Sequence, residues 1–305
     1  MRKIPFGSSG LDVPPIAIGC MRLTSLNKKD AEIMINSSID AGANFFDHAD
    51  IYGGGKCEEA FADAIGMTPA IRDKMIIQSK CGIRNGMFDF SKEYILKSVD
   101  GSLKRLKTDY LDALLLHRPD ALIEPEEVAE AFDTLKQSGK VRHFGVSNQK
   151  PMQIDLLKKY LNQPIVANQL QFSPTNVTMI SNGINVNMEN NSAVDRDGSV
   201  LDYCRLNDIT IQPWSPFQYG YFEGTYLGND KFPELNKKIN ELAEKYNVMN
   251  NTVVIAWMLR HPAKMQPIIG TMNLARITDI FKAAEINMTR EEWYGIYRSA
   301  GNILP

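Results

Sequence analysis

Four side chains of this protein would, if gathered in one place, bind and protonate a developing alkoxide: Asp47, Tyr52, Lys80 and His117. Tyrosine has an unperturbed pKa near 10, so a phenol that donates a proton at neutral pH needs electrostatic help. A nearby ammonium favours the phenolate and lowers that pKa, and Lys80 can supply it. Asp47 can hold Lys80 charged and in place inside a partly dry site. His117 can hydrogen-bond a substrate oxygen or take part in proton transfer. Together this is general-acid and oxyanion chemistry. Taken singly, each residue has a plainer explanation: an Asp–Lys pair inside a fold is usually structural, and a lone histidine at a strand end is usually a satisfied core group. Four at the positions described next resist that explanation.

The elements that must position them are eight short apolar segments, nearly all ending in a polar or reactive residue. They are Ile16–Cys20, Asn44–Asp47, Met75–Lys80, Leu111–His117, Val141–Ser147, Val166–Gln169, Thr210–Trp214 and Gln266–Gly270. Most intervals between them read as helix. Eight such alternations over about 250 residues predict an α/β fold, a (β/α)8 TIM barrel with its active site at the C-terminal ends of the strands. Those ends form one ring: Asp47, Lys80, His117, Ser147 with Asn148, Gln169, Trp214, and Gly270 with Thr271. Tyr52 lies one turn beyond Asp47, beside Gly53–Gly55, which reads as a flexible turn letting the phenol face the pocket.

Met1–Val13, with turn residues at Gly7–Gly10, predicts a short hairpin plugging the other end of the barrel. Helices are expected over Lys28–Ala41 with Asn27 as N-cap, Lys56–Ile65, and Lys92–Leu106 after Ser91. Glu126–Gln137 opens at Pro125 and ends at Gly139, and Met152–Tyr160 opens at Pro151. Leu274–Ala284 and Arg290–Ala300 read as C-terminal helices. Two long connections interrupt the rhythm. Phe172–Gly198 is rich in Asn, Ser and Gly and reads equally as a surface loop or a functional lid. Phe217–Pro233 carries Tyr219, Tyr221, Phe222 and Tyr226, and its aromatic density predicts a pocket wall.

At 305 residues, 44% hydrophobic and 23% charged, the chain suits one barrel domain over 1–305. A net charge of −2 and a pI near 6.1 suggest neither a nucleic-acid surface nor a polybasic membrane patch. No apolar run approaches the roughly 20 residues that span a bilayer. The start, MRKIPFGSSGLDVPPIAIG, has no apolar h-region, so no signal peptide is expected. The four cysteines form no CxxC pair and no metal-ligand spacing with the four histidines. No metal, reduced thiols and a cytoplasmic location follow as expectations. So do a small-molecule partner, neither nucleic acid nor membrane, and a monomer or weak homo-oligomer. Neither GxGxxG opening a helix nor a P-loop occurs.

The stretch FDHADIYGGG, Lys80 after MIIQS, and the strings LLLHRPD and HFGVSN resemble the aldo-keto reductase superfamily, over essentially the whole chain. The GCMRL start, HRPD, NVNMENN and the ending PIIGTMNLARI…MTREEWYGIY are similar to a bacterial branch of NADPH-dependent oxidoreductases. The resemblance implies that Tyr52 is the catalytic acid, Lys80 lowers its pKa, Asp47 partners Lys80, and His117 orients the carbonyl. For NADPH/NADP+ it implies Ser147, Asn148 and Gln169 at the nicotinamide carboxamide, and Trp214, where most relatives have tyrosine, stacked on the ring. Ser215 and Phe217 match the pyrophosphate stretch. Gly270, Thr271, Asn273 and Arg276 match the loop and helix start around the 2′-phosphate, and Met21 and Arg22 join the cofactor-binding set.

The residues themselves support the phosphate assignment. A strand end followed by a helix N-terminus offers free N–H groups and a positive dipole end, and Arg276 can add a bidentate contact. Two departures stand out: Gly270 occupies a position that is often basic, and Ile280 one where asparagine commonly contacts adenine. They predict a weaker NADPH preference with some NADH use.

The expected function is reduction of an aldehyde or ketone to an alcohol. A cofactor-binding redox sensor or accessory subunit with little turnover is the alternative. A barrel hydrolase or isomerase is disfavoured by the absence of paired catalytic carboxylates and phosphate-loop glycines. Expected pocket residues are Met21, Arg22, Phe88, Arg118 and the loop Tyr219–Tyr226, and the short C-terminal tail predicts an open pocket. Arg22 and Arg118 point to an anionic or polar substrate, with ion pairing or cofactor contact an equally good reading.

Overall fold

All eight apolar segments form strands of one parallel sheet. They are β1 (Ala17–Gly19), β2 (Phe45–Asp47), β3 (Ile76–Cys81), β4 (Leu111–Leu116), β5 (Val141–Ser147), β6 (Ile165–Gln171), β7 (Thr210–Trp214) and β8 (Ile268–Ile269). Neighbours pair in the order β7-β6-β5-β4-β3-β2-β1-β8, and Gln266 N donates to Ile211 O at 3.0 Å across the remaining gap. The sheet thereby curls into the (β/α)8 barrel, with helices packed around it. The strands are nearly continuous apolar runs because both faces are covered; all six residues of β4 are buried. The computed structural model describes residues 2–304, so Met1 and Pro305, the outer limits of the expected hairpin and domain, lie outside the described residues.

Register sets the height of each side chain. Asp47 pairs with Gly19 and Gln78, Lys80 with Leu115, Ser147 with Gln169, and Gln169 with Gln212. β4 ends at Leu116, so His117 stands just beyond its strand. At the opposite end, Ile4–Pro5 pairs antiparallel with Asp12–Val13. Phe6, fully buried, meets Phe45 edge-on at 5.5 Å and packs with Val13, Ala17, Ala113, Leu115 and Val166. This is the expected plug.

Local signals fix the helices. Asn27 Oδ1 accepts Asp30 N at 2.9 Å, and Ser91 Oγ accepts Tyr94 N at 3.3 Å, each satisfying a free N–H of a first turn. Pro125 and Pro151 each open a helix. Helices Asn250–Leu259 and Arg290–Ser299 lock together through Trp257 and Trp293, stacked at 5.0 Å, each indole donating to the other's backbone oxygen at 3.0 Å. Among the described residues, no helix is long and apolar enough to cross a membrane.

The two long connections carry structure of their own. Phe172–Gly198 is not a plain loop: it contains a helix, Thr178–Ile184, and a 3-10 turn, Asn191–Ala193. Its asparagines serve the backbone. Asn190 Oδ1 caps Ser192 N and Ala193 N, and Asn185 donates to Ser181 O. Phe217–Pro233 holds a two-stranded hairpin, Gln218–Tyr219 with Gly224–Thr225.

Candidate active site

The chemistry begins with Lys80, fully buried near the end of β3. Its ammonium has three hydrogens and three acceptors: Asp47 Oδ1 at 2.7 Å, Asp47 Oδ2 at 2.8 Å and the His48 carbonyl at 2.7 Å. Asp47 Oδ1 also accepts Gln78 Nε2 at 2.7 Å and Gln169 Nε2 at 3.1 Å. A buried ion pair costs several kcal/mol per ion in desolvation, and only dense hydrogen bonding of this kind offsets it. Burial works against the Lys80 charge, yet Asp47 and Tyr52 outweigh it and raise the ammonium above the ordinary lysine value.

Tyr52 opens a 3-10 turn after β2. Gly53, Gly54 and Gly55 all take positive φ, at 59°, 64° and 92°. The expected flexible turn is therefore a defined left-handed one, costing side-chain-bearing residues roughly 1–2 kcal/mol each. It places the Tyr52 ring 4.9 Å from Lys80 Nζ and 5.9 Å from the His117 ring, edge to face. Burial pushes the phenol above its ordinary value. Lys80 pulls it down as expected but does not win, and Asp47 adds to the rise. Burial, then the charges of Lys80 and Arg118, hold His117 well below the usual imidazole range, so the ring is neutral at neutral pH. Its Nδ1 is buried without a protein partner.

Asp47, Tyr52 and His117 lie on the wall of a cavity of about 1090 Å3, open at the C-terminal face of the barrel, while Lys80 is buried against Asp47. The cavity also reaches every residue expected at the cofactor: Met21, Arg22, Ser147, Asn148, Gln169, Trp214, Ser215, Phe217, Gly270, Thr271, Asn273 and Arg276. The amide-bearing set is pre-organised. Ser147 Oγ donates to Gln169 O at 3.0 Å, Asn148 Nδ2 to Ser147 Oγ at 2.8 Å, and Trp214 Nε1 to Asn148 Oδ1 at 3.2 Å. Asn148 and Ser215 both adopt positive φ, 57° and 50°, turning the chain sharply just past β5 and β7. At the far end Asn273 Oδ1 caps Arg276 N at 3.0 Å, so one N–H expected to face a phosphate already has a partner. The Arg276 side chain is exposed on the cavity wall. Ile280 is fully buried in the core and does not line the cavity.

Among the other expected pocket residues, Arg118, Tyr221 and Phe222 line the cavity, with Phe222 stacked on Trp214 at 5.9 Å. Three do not. Phe88 is exposed on a hairpin, Ile83–Arg84 with Met87–Phe88. Tyr226 is buried, its hydroxyl donating to Pro216 O at 2.6 Å, and Tyr219 packs on Phe232 at 5.0 Å. Those two tyrosines buttress the loop while their neighbours face the cavity. Among the described residues, no group of three or more His, Cys, Asp or Glu could hold a metal ion.

Sequence reasoning missed a glutamine layer beneath Asp47. Gln78 donates to Gln212 Oε1 at 2.9 Å, Gln212 to Gln78 Oε1 at 3.2 Å and to Gln266 Oε1 at 2.9 Å, and Gln266 to Pro14 O at 2.6 Å. All three glutamines are fully buried. The signal was present: a glutamine within each apolar run IIQSK, TIQPW and KMQPII. Asn250 and Asn251, opening helix Asn250–Leu259, also line the cavity and carried no sequence signal.

Known proteins share this architecture and sequence. The crystal structure of a thermostable aldo-keto reductase, Tm1743, in complex with the inhibitor epalrestat matches with a TM-score of 0.77 at 23% identity. The match covers 98% of this chain and 100% of that one, a likeness of fold. Oxidoreductase YdhF of Escherichia coli (strain K12) is 35% identical over 311 residues, covering 98% of both chains. A 6-dehydroglucose reductase of Novosphingobium aromaticivorans is 33% identical over 309 residues, 98% of this chain and 96% of its own. The model of the Aldo/keto reductase family matches residues 15–299. With that family match and relatives aligned end to end, the chain belongs to the aldo/keto reductase family, oxidoreductases that act on carbonyls and generally use nicotinamide cofactors.

Proposed function

We propose that the chain, as one barrel domain over 1–305, reduces an aldehyde or ketone to an alcohol with NADPH, Tyr52 giving the proton. One observation carries this reading: a fully hydrogen-bonded Lys80–Asp47 pair set 4.9 Å from the Tyr52 ring at the wall of a large cavity. Bound NADPH supplies the hydride to the carbonyl carbon. As charge grows on the oxygen, Tyr52 transfers its hydroxyl proton there, and the phenolate left behind faces the Lys80 ammonium. Asp47 keeps that ammonium charged and aimed. Neutral His117 offers an N–H to the carbonyl oxygen and competes for no proton with Tyr52.

The cavity residues suit this cofactor. Asn148, Ser147 and Gln169 offer amide and hydroxyl groups beside the flat face of Trp214. Arg276 offers a guanidinium that, among the described residues, has no carboxylate partner, as a phosphate ester requires. Relatives named 6-dehydroglucose reductase support a carbonyl compound as substrate. The test is Tyr52→Phe, which removes one hydroxyl and little volume. Turnover, followed by NADPH absorbance over a panel of carbonyls, is expected to fall by about 10²–10⁴-fold, while NADPH binding, read by protein fluorescence, persists. Near wild-type turnover of the variant would overturn the assignment.

A further inference from the structure

The charged side chains on the cavity wall are Asp47, Arg22, Arg118 and Arg276. Asp47 is already neutralised by Lys80. Among the described residues, the arginines that pair with carboxylates are others, including Arg72, Arg84, Arg105 and Arg142. The cavity therefore carries surplus positive charge. In the proposed reaction Arg276 meets the cofactor's 2′-phosphate and Arg22 belongs to its binding set. No group of the cofactor is matched to Arg118.

Arg118 sits at the reacting end. It directly follows His117 after β4, and its guanidinium carbon lies 5.6 Å from the centroid of the Trp214 ring. It is partly buried. The nicotinamide ring, expected against Trp214, carries no anionic group of its own. A partly desolvated guanidinium without an anion is a costly arrangement, and a ligand that brings one supplies the missing partner.

We propose that Arg118 anchors an anionic group of the substrate, so that the preferred substrates are carbonyl compounds carrying a carboxylate or similar oxyanion. His117 and Arg118 are consecutive residues on the wall of the same cavity, so one small ligand can meet both. This rests on the carbonyl-reductase reading of the same site, and the measurements below separate the two.

The test compares 4-carboxybenzaldehyde with 4-(hydroxymethyl)benzaldehyde, alike in shape and different in charge, using NADPH and wild-type protein, Arg118→Met and Arg118→Lys. A charge-assisted contact corresponds to about tenfold to a hundredfold. Wild-type kcat/KM is therefore expected to favour the carboxylated aldehyde by that factor, the preference shrinking with added salt. In Arg118→Met the ratio should fall toward one, and Arg118→Lys should retain part of it. Equal kcat/KM for the two aldehydes in wild type, or an unchanged ratio in Arg118→Met, would overturn the inference while leaving the reductase reading standing. A second measurement does not need turnover: titration of 4-(hydroxymethyl)benzoate and of 1,4-benzenedimethanol into the NADP+ complex, read by intrinsic fluorescence. Tighter binding of the carboxylate, lost in Arg118→Met, supports the anion subsite even if no aldehyde is reduced. Equal affinity for the two ligands counts against it.

Discussion

Replacing Lys80 with methionine separates an electrostatic role from a structural one. The methionine fills similar space and removes the charge. The ammonium lies about 5 Å from the Tyr52 ring. At an effective dielectric constant of about 20, unit charges at that distance attract by roughly 3 kcal/mol. Withdrawing this from a phenolate raises the apparent donor pKa by about two units and slows proton delivery by up to about a hundredfold. The fold also suffers, because Asp47 keeps only Gln78 and Gln169 as side-chain donors. Stranding one member of a buried pair typically costs about 3–5 kcal/mol. Thermal unfolding of Lys80→Met, and of Asp47→Asn with Lys80→Met, measures that cost, since the double change removes the stranded carboxylate. The pH profile of kcat, taken with NADPH and an aldehyde that wild type reduces, measures the chemistry. The double variant should recover stability without recovering rate, and both variants should show the donor limb moved to higher pH. A rate that returns together with stability, or an unmoved profile, would refute the electrostatic role and leave a structural ion pair.

Three further perturbations probe the glutamine layer, the far end of the cavity and the C-terminal helix. Gln78→Leu removes a donor to Asp47 and both hydrogen bonds between Gln78 and Gln212; chemical denaturation should show a loss of about 1–3 kcal/mol. A variant as stable as wild type would show that these hydrogen bonds contribute nothing to the fold. Arg276→Ala should weaken NADPH binding by about tenfold to a hundredfold, toward the lower figure because Gly270 adds no charge, and leave NADH binding almost unchanged. Equal losses for the two cofactors would mean that the 2′-phosphate is read elsewhere. Glu292 is partly buried, which opposes ionisation, yet Lys245, Tyr246 and the Thr289 N–H hold its carboxyl down to about 2, from an ordinary value of 4.5. Because the folded value lies below the unfolded one, this stability is present above about pH 4.5 and disappears as pH falls toward 2. Glu292→Gln should therefore cost about 1–2 kcal/mol at pH 7, the gap to wild type closing below pH 4.5; a gap of the same size at both ends of that range would contradict this account.

Much of the molecule was legible in one dimension. Eight apolar runs and their spacing predicted the eight strands, since burying both faces of a parallel strand demands apolar residues at successive positions. Asn27, Ser91, Pro125 and Pro151 marked helix starts because each acts on backbone groups within a few residues of itself. The ring of Asp47, His117, Ser147, Asn148, Gln169 and Trp214 around one cavity, with Lys80 buried against Asp47, followed from the rule that such barrels gather their strand ends at one face.

What the chain could not announce depends on neighbours distant in sequence. Gln78 and Gln212 are 134 residues apart, and only the register of the closed barrel sets them side by side beneath Asp47. Tyr219 and Tyr226 turned inward while Tyr221 and Phe222 met the cavity, because a hairpin's side chains are divided by the surface it lands on. Phe88 went to solvent for the same reason. The Tyr52 phenol shows the limit most clearly. Sequence supplied the cation that lowers its pKa, but the desolvation that raises it comes from the walls around it. Residue types determine which charges are available, whereas their balance depends on distance and exclusion of water, which exist only once the barrel has closed.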